Sequence, residues 1–135
     1  MAYWLVKSEP HKYAWDDLVR DGRTIWDGVR NHTAAINLRA MKTGDCAFFY
    51  HSNEGKEIVG IVEIVREHYL DPKDQAQRFP AVDVVPVGAL ARPVTLAAIK
   101  ADAALADMDL VRQSRLSVAR VRDTEWARVL ELSLA

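Results

Sequence analysis

Hydrophobic and polar residues alternate along much of this chain in patterns that predict a mixture of strands and helices. Residues 3–7 are rich in aromatic and branched residues and stop short of Pro10, which is typical of a short strand. Residues 45–51 form a second strand-like stretch, and residues 58–67 form a longer one whose two alternating faces are both largely apolar. A strand that is apolar on both faces is expected at the centre of a sheet or in a barrel, with helices packed outside.

Two further strands and four helices complete the predicted elements. Residues 81–87 form a strand in which Pro86 requires an edge or a bulge, because proline has no N–H to donate. Residues 116–121 alternate between apolar and polar side chains and predict another strand. The first predicted helix has the apolar stripe Trp15, Leu18 and Val19 and stops at Gly22, and the second has the stripe Ala34, Leu38 and Met41, with a cap at Asn31 and an end at Gly44. The third follows Thr95 and has the stripe Leu96, Ile99 and Leu105. The fourth has the stripe Trp126, Val129 and Leu130 and a cap at Asp123.

The order of these elements predicts an α+β fold. The strands between residues 45 and 87 follow one another without a helix, which favours hairpins and an antiparallel or mixed sheet over a doubly wound parallel one. We therefore expect a small α+β barrel with flanking helices. The length of 135 residues suits one hydrophobic core, and no repeat or linker divides the chain, so residues 1–135 are expected to form a single domain.

Composition and charge narrow the classes of function. Half of the residues are hydrophobic and 27% are charged, as in an ordinary soluble protein, and no apolar run is long enough to cross a bilayer. The net charge of −1 disfavours a general polyanion binder, because affinity for nucleic acid rises with each neutralised phosphate. Residues 112–122 nevertheless hold four arginines and no acid, which suits either a site that contacts a few phosphates or a solvated strand face.

Three smaller observations concern location and reactive groups. The N-terminus has no basic start and no cleavable apolar segment, so a cytoplasmic location is expected. Cys46 is the single cysteine and lies in an apolar stretch, which favours core packing over a reactive thiol. The four histidines are scattered, and none has a second ligand at the spacing of a zinc finger or a helical metal site. No metal and no other cofactor is therefore predicted.

Polar segments lie at four predicted element boundaries, where a rigid frame can present binding groups to a cleft. They are residues 7–10, 26–31, 50–53 and 112–117. Together they supply an aromatic face, amide and hydroxyl groups, and guanidinium donors. These groups suit an unpaired or flipped nucleobase, whose face stacks on a ring, whose edge forms hydrogen bonds and whose neighbouring phosphates are held by arginine.

These segments resemble, in the same order, the signature blocks of the EVE family. The blocks are YWLVKSEP at residues 3–10, WDGVRN at 26–31, GD at 44–45 followed by FYHS at 49–52, and LVRQSRLSV at 110–118. The resemblance extends from residue 3 to the final helix. It implies a PUA-like barrel, similar in architecture to the YTH, ASCH and PUA families, that binds modified bases in DNA or RNA, including modified cytosines. It implies no catalytic activity.

The resemblance also implies which residues form the pocket. We expect Trp26 to be less buried than Trp126, which lies on a helical stripe. Residues 32–36 read HTAAI where relatives often carry Gln and Arg-type residues, so no base contact is carried over from this helix. The implied pocket has Trp26 as a stacking wall, Ser8, Asn31, His51 and Ser117 at the base edge, Lys7 and Arg115 at the backbone, and Tyr50 and Ser52 as further lining.

The expected partner is DNA or RNA with a modified base, or a modified nucleoside, bound by a monomer without membrane contact. An enzyme would pair His51 with a serine such as Ser52, but adjacent strand residues point to opposite faces. No nucleophile elbow, phosphate-binding glycine loop or paired-carboxylate spacing is present, so a non-catalytic module is expected. A small-molecule or protein-interaction module on the same barrel is the other alternative. Trp26 could also be a core residue, and Asn31 could equally be a helix cap.

Overall fold

The structure, a computed structural model, describes residues 1–135 and contains one six-stranded sheet with helices on both faces. No helix combines the length and the hydrophobicity needed to cross a bilayer. The strands are β1 (Tyr3–Ser8), β2 (Thr24–Trp26), β3 (Cys46–His51), β4 (Glu57–Leu70), β5 (Pro80–Thr95) and β6 (Val118–Val121). The α-helices are α1 (Trp15–Asp21), α2 (His32–Ala40), α3 (Leu96–Lys100), α4 (Asp109–Arg112) and α5 (Asp123–Leu134), with a 3-10 turn at Ala103–Leu105.

The sheet has the strand order β2-β5-β4-β3-β1-β6. Strands β1 and β3 are parallel, and every other neighbouring pair is antiparallel. The predicted α+β class and mixed sheet are thus confirmed. Strands β2 and β6 are the two edges and are not paired with each other, so the sheet is open and the predicted closed barrel is not confirmed.

Helix α2 packs against the edge strand β6 and also against β5 and β4. Its N-terminus is capped as predicted: the Oδ1 atom of Asn31 accepts the Ala34 N–H at 2.9 Å. The side-chain amide of Asn37 donates to the carbonyl of Val118 at 2.7 Å. This hydrogen bond satisfies a carbonyl on an edge strand that a foreign strand could otherwise pair with.

Two hydrophobic clusters lie on opposite faces of the sheet. In β1, Trp4 and Val6 belong to the cluster under α1 and α2, whereas Leu5 belongs to the cluster under α3 and α5. In β3, Phe49 and Phe48 are divided between the clusters in the same way. The central strands are therefore buried on both faces, which holds their carboxyl ends in fixed positions.

Three helices are shorter, or bury less, than their apolar stripes predict. Val19 of α1 is 54% exposed, because it follows Leu18 by one position and points to another side of the helix. Helix α2 ends well before Gly44. Helix α3 ends at Lys100, and Leu105 lies in the separate 3-10 turn, where it is buried.

The cap of α5 and some strand limits also differ from the prediction. Asp123 is the first residue of α5 and not its cap, and the Arg122 N–H at that end donates to the carboxylate of Glu125 at 2.9 Å. Strand β6 begins at Val118, and the second face of β4 is only half-buried. Pro86 lies beside an irregularity in the register between β4 and β5, as predicted. Strand β2 was not predicted, since three residues are too few to show an alternating pattern.

Candidate nucleic-acid interface

A cleft of about 1050 Å³ lies between β2 and the end of β1. We call it the main cleft. Its lining includes the edge strand β2 and Ser117, which directly precedes the other edge strand, β6, so it lies where the two edges of the sheet are not joined. It is bounded by residues 7–8, 12–13 and 23–31 and by Lys73, Asp83 and Ser117.

The topology of the sheet explains why distant segments meet here. Because β1 and β3 are parallel, Ser8 and His51 are partners at the same end of the sheet. The N–H of Lys7 donates to the carbonyl of Ser117 at 3.0 Å, which continues the β1–β6 ladder to that residue. Three of the four polar segments singled out in the sequence therefore converge at the carboxyl ends of β1 and β3.

Trp26 borders the main cleft but is largely buried. Its exposed fraction is 7%, the same as that of Trp126, so the prediction that Trp26 is the less buried of the two is wrong. The cause is β2, which pairs Trp26 with Val82 and so brings the indole ring into the core. There it packs edge-on against Phe49, with ring centroids 5.5 Å apart. Only a small part of the ring is left at the cleft.

The loop between β2 and α2 forms one wall of the main cleft and is held by Asp71. Gly28 has a φ of +77°, a conformation that favours glycine, and its N–H donates to the Asp71 carboxylate at 2.8 Å. The Arg30 guanidinium donates to the same oxygen, also at 2.8 Å. Burial alone would raise the pKa of Asp71, but the hydrogen bonds from Arg30 and from the Gly28 and Lys73 N–H groups outweigh it, so the pKa is lowered.

Sequence reasoning missed Asp71. It follows β4, far along the chain from the loop that it holds, and no spacing connects the two segments. Other cleft residues that were not predicted include Lys12, Tyr13, Arg23, Lys73 and Asp83.

Asn31 and Ser8 both line the main cleft, and each uses one of its polar functions within the fold. Asn31 caps α2 through Oδ1, while its amide nitrogen has no hydrogen-bond partner in the protein. The hydroxyl of Ser8 donates to the carbonyl of Tyr13, which leaves its oxygen free to accept. Capping and base reading are therefore compatible for Asn31, because they use different atoms.

The cations around the main cleft are mostly neutralised. Lys7 is the exception: its Nζ donates to the carbonyl of Ser114 at 2.8 Å, and burial lowers its pKa. The other basic side chains form the ion pairs Arg23–Asp83 (2.8 Å), Arg30–Asp71 (2.8 Å), Lys73–Asp27 (3.3 Å) and Lys12–Glu9 (3.4 Å).

His51 does not border the main cleft, although the sequence hypothesis groups it with Trp26 and Ser117. Its Nε2 atom accepts the backbone N–H of Trp15 at 3.1 Å. Burial lowers the pKa of His51, against the opposing effect of nearby carboxylates, and the hydrogen bond also requires a neutral ring. The lone pair that a general base would need is therefore already used in the fold, and the proton of the neutral ring lies on Nδ1.

Tyr50, Ser52 and Arg115 lie outside the main cleft and line a second cleft of about 610 Å³. We call this second space the side cleft. Lys7 and Ser117 border both clefts and separate them.

The four arginines of residues 112–122 do not form a continuous basic strip. Of the four, only Arg115 borders either cleft. The other three have partners elsewhere: Arg112 pairs with Asp107 at 2.6 Å, Arg120 lies over the Trp4 ring at 5.4 Å, and Arg122 pairs with Glu125 at 3.6 Å.

The remaining groups that could bind a metal or react with a ligand do not form a site. No three His, Cys, Asp or Glu side chains are grouped so that they could hold a metal ion. Cys46 is half-buried, and burial, followed by the neighbouring Glu63 and Asp45, raises the pKa of its thiol. A raised pKa keeps the sulfur in its less nucleophilic protonated form.

Comparison with known proteins gives matches along nearly the whole chain. The sequence model of the EVE domain matches residues 2–132. Human thymocyte nuclear protein 1 is 34% identical in an alignment that covers 97% of this chain and 73% of that protein. An NMR structure of a protein from Rhodopseudomonas palustris is 53% identical, with a TM-score of 0.93 and coverage of 98% of this chain and 93% of that one.

A further solved structure is similar to this one and contains a ligand. It is the crystal structure of human thymocyte nuclear protein 1 in complex with DNA containing 5-methylcytosine. That chain is 33% identical to this one, with a TM-score of 0.93, and the match covers 100% of this chain and 99% of that one.

Proposed function

Because this chain belongs to the EVE domain family, we propose that it is a DNA-binding module that recognises a modified base, such as 5-methylcytosine, in its main cleft. The human relative in complex with 5-methylcytosine-containing DNA supports this partner. The observation that carries the proposal is the main cleft itself, where Trp26, Asn31 and Ser117 border one space at the open side of the sheet.

The base would be recognised mainly along its edge. The amide nitrogen of Asn31 donates, the oxygen of Ser8 accepts, and the hydroxyl of Ser117 can do either. Trp26 is only 7% exposed, so it contributes an apolar contact for a substituent on the base and not a full stacking surface. Burial of one methyl group contributes about 0.8 kcal/mol, so the preference for a methylated base is expected to be about fourfold.

We also propose that the module binds its target without chemical turnover. The geometry of His51 supports this, because the Nε2 atom that an acid–base catalyst would need accepts the Trp15 N–H. RNA with a modified base is a second partner within the same proposal, and the same measurements distinguish it from DNA. A cytoplasmic monomer remains our expectation.

The test is a binding panel with the variant Trp26→Phe. Fluorescence anisotropy would measure the affinity of wild type and variant for matched DNA and RNA oligonucleotides with and without 5-methylcytosine. We expect the wild type to prefer the modified DNA and Trp26→Phe to reduce the ratio of the two affinities, because the smaller ring withdraws the apolar surface from the cleft.

The matched control is Trp126→Phe. Trp126 has the same exposed fraction of 7%, but it lies in the other core cluster and borders neither cleft. Ser117→Ala removes a half-buried hydroxyl from the main cleft with little risk to folding. Equal affinity of the wild type for modified and plain oligonucleotides would refute the proposal, as would an unchanged preference in both Trp26→Phe and Ser117→Ala.

A further inference from the structure

The side cleft differs from the main cleft in its charge. Lys56, Lys100 and Arg115 line it, all three are exposed, and none forms an ion pair. Glu9 is the one acid at its border, and its carboxylate is within 3.4 Å of both Lys12 and His11. In the main cleft, by contrast, each basic side chain except Lys7 is matched by a carboxylate.

The side cleft also carries neutral hydrogen-bond donors beside its cations. Ser52 and Asn53 contribute a hydroxyl and an amide at the end of β3, and Ser114 contributes a second hydroxyl. Hydroxyl, amide and cationic groups together are the usual partners of phosphate oxygens, which accept hydrogen bonds and carry negative charge.

Lys7 connects the two clefts. Its backbone is fixed in β1, and its ammonium group donates to the carbonyl of Ser114, which leaves two further N–H donors. It borders both spaces together with Ser117. A strand whose base occupies the main cleft would therefore pass this point on its way into the side cleft.

We infer that the side cleft binds the phosphodiester backbone of the same strand whose modified base enters the main cleft, with Lys56, Lys100 and Arg115 contacting phosphates. This inference rests on the proposed function. It means that the two clefts make different contributions to the affinity for DNA. The main cleft recognises the base, while the side cleft supplies attraction that does not depend on the base.

The division of roles has a measurable consequence in the salt dependence of binding. Each phosphate that a lysine or arginine neutralises on duplex DNA releases counterions and contributes about −0.9 to the slope of log K against log salt concentration. Loss of a phosphate contact should therefore lower affinity for modified and plain DNA by the same factor and make the slope shallower. The ratio of the two affinities should not change, because a phosphate carries no information about its base.

The experiment uses the full chain with Lys100→Ala and, separately, Arg115→Ala. Affinities for duplex DNA with and without 5-methylcytosine would be measured by anisotropy at several salt concentrations. We expect each variant to make the slope shallower by about one unit and to keep the wild-type preference for the modified base. Both side chains are exposed and unpaired, so neither substitution should affect folding.

The matched control is Lys42→Ala. Lys42 is exposed and forms no ion pair, and it lies before β3, at the opposite end of the sheet from both clefts. The substitution Lys42→Ala removes the same charge from the protein at a position that the DNA backbone is not proposed to contact. A salt slope in Lys100→Ala and Arg115→Ala equal to that of Lys42→Ala would overturn the inference.

The outcomes also separate this inference from the proposed function. If the wild type shows no preference for 5-methylcytosine but the two variants still have shallower slopes, the base-recognition proposal fails and the side cleft remains a backbone site. If the preference is present and the slopes are unchanged, only the side-cleft inference fails. A wild-type protein that does not bind DNA at all would overturn both.

Discussion

Gly60 of β4 lies directly beneath the indole ring of Trp15. A Cβ atom built on Gly60 would be 2.5 Å from the ring, which is closer than non-bonded carbon atoms approach. Trp15 cannot move freely, because it is buried and packs edge-on against Phe49 with ring centroids 5.5 Å apart. The absence of a side chain at Gly60 is therefore what allows α1 to pack on the sheet.

Gly60→Ala should accordingly destabilise the protein. We expect a loss of about 1–3 kcal/mol in the free energy of unfolding, as for other overpacked core sites. The control is Gly88→Ala on the neighbouring strand β5, where an added Cβ meets nothing within 4 Å and the change should be within about 1 kcal/mol. Urea denaturation measures both, and equal stability of the two variants would contradict the packing argument.

For individual residues, the sequence identified polar side chains near the ends of elements but not which of their atoms were free to bind a ligand. It placed His51 in the pocket, yet Nε2 accepts the Trp15 N–H. It gave Asn31 as either a cap or a base contact, and the structure shows the cap with the amide nitrogen left over. Asp71 carried no local signal, because its partners Gly28 and Arg30 are far away in the chain. Hydrogen-bond partners distant in sequence decide these outcomes.

Among the secondary-structure elements, α2 joins the stability of the fold to the main cleft through its cap. Asn31→Ser should keep the cap, since serine is as good a cap as asparagine, but it lacks the amide donor. We expect the free energy of unfolding to change by only a few tenths of a kcal/mol. The affinity for modified DNA should decrease by a factor of about two to ten, as for the loss of a neutral hydrogen bond.

Asn31→Ala provides the comparison. It removes both the cap and the donor, so it should cost about 1 kcal/mol of stability in addition to the loss of affinity. Chemical denaturation and anisotropy measured on the same preparations separate the two effects. Wild-type affinity in Asn31→Ser would exclude a base contact from the amide nitrogen.

The elements predicted best are those whose pattern repeats several times. Strands β1, β3 and the first part of β4 follow from runs of apolar, aromatic and branched residues, and the cap at Asn31 follows from residue type. Strand β2 has three residues, too few for a pattern, and yet it determines that Trp26 is buried. The prediction that Trp26 is less buried than Trp126 was thus wrong because β2 was not predicted.

For the whole molecule, the buried carboxylates predict how stability depends on pH. Burial alone would raise the pKa values of Asp45, Asp71 and Asp83, but hydrogen bonds outweigh it and lower all three. Burial also lowers the pKa of His51. Groups whose pKa is lower in the folded state stabilise it above their unfolded pKa and lose that contribution as the pH falls.

Stability should therefore decrease in two steps on acidification. The first step, from His51, begins as the pH falls through about 6.5, and the second, from the aspartates, begins below about 3.9. Urea denaturation between pH 7 and pH 3 would measure both. His51→Gln should abolish only the first step, and a stability that rises from pH 7 to pH 5 would contradict the assignment.

The overall architecture was predictable only in part. Three consecutive strands without helices indicated the antiparallel part of the sheet, formed by β3, β4 and β5. Whether the sheet closes depends on how far its edge strands extend, and the three-residue length of β2 is not visible in the sequence. The open edge, and with it the position of the main cleft, had to come from the structure.

The parallel pairing of β1 with β3 has a consequence for motion. These two strands lie inside the sheet, flanked by β6 and β4 and covered on both faces, so their amide hydrogens should exchange with solvent only when the whole domain unfolds. Ser8 ends one of these slowly exchanging strands, whereas the wall formed by residues 27–31 is a loop held to the sheet through Asp71. A base would thus contact a rigid strand end at Ser8 and, opposite it, a loop that can open locally. Its entry and release therefore need not disturb the core.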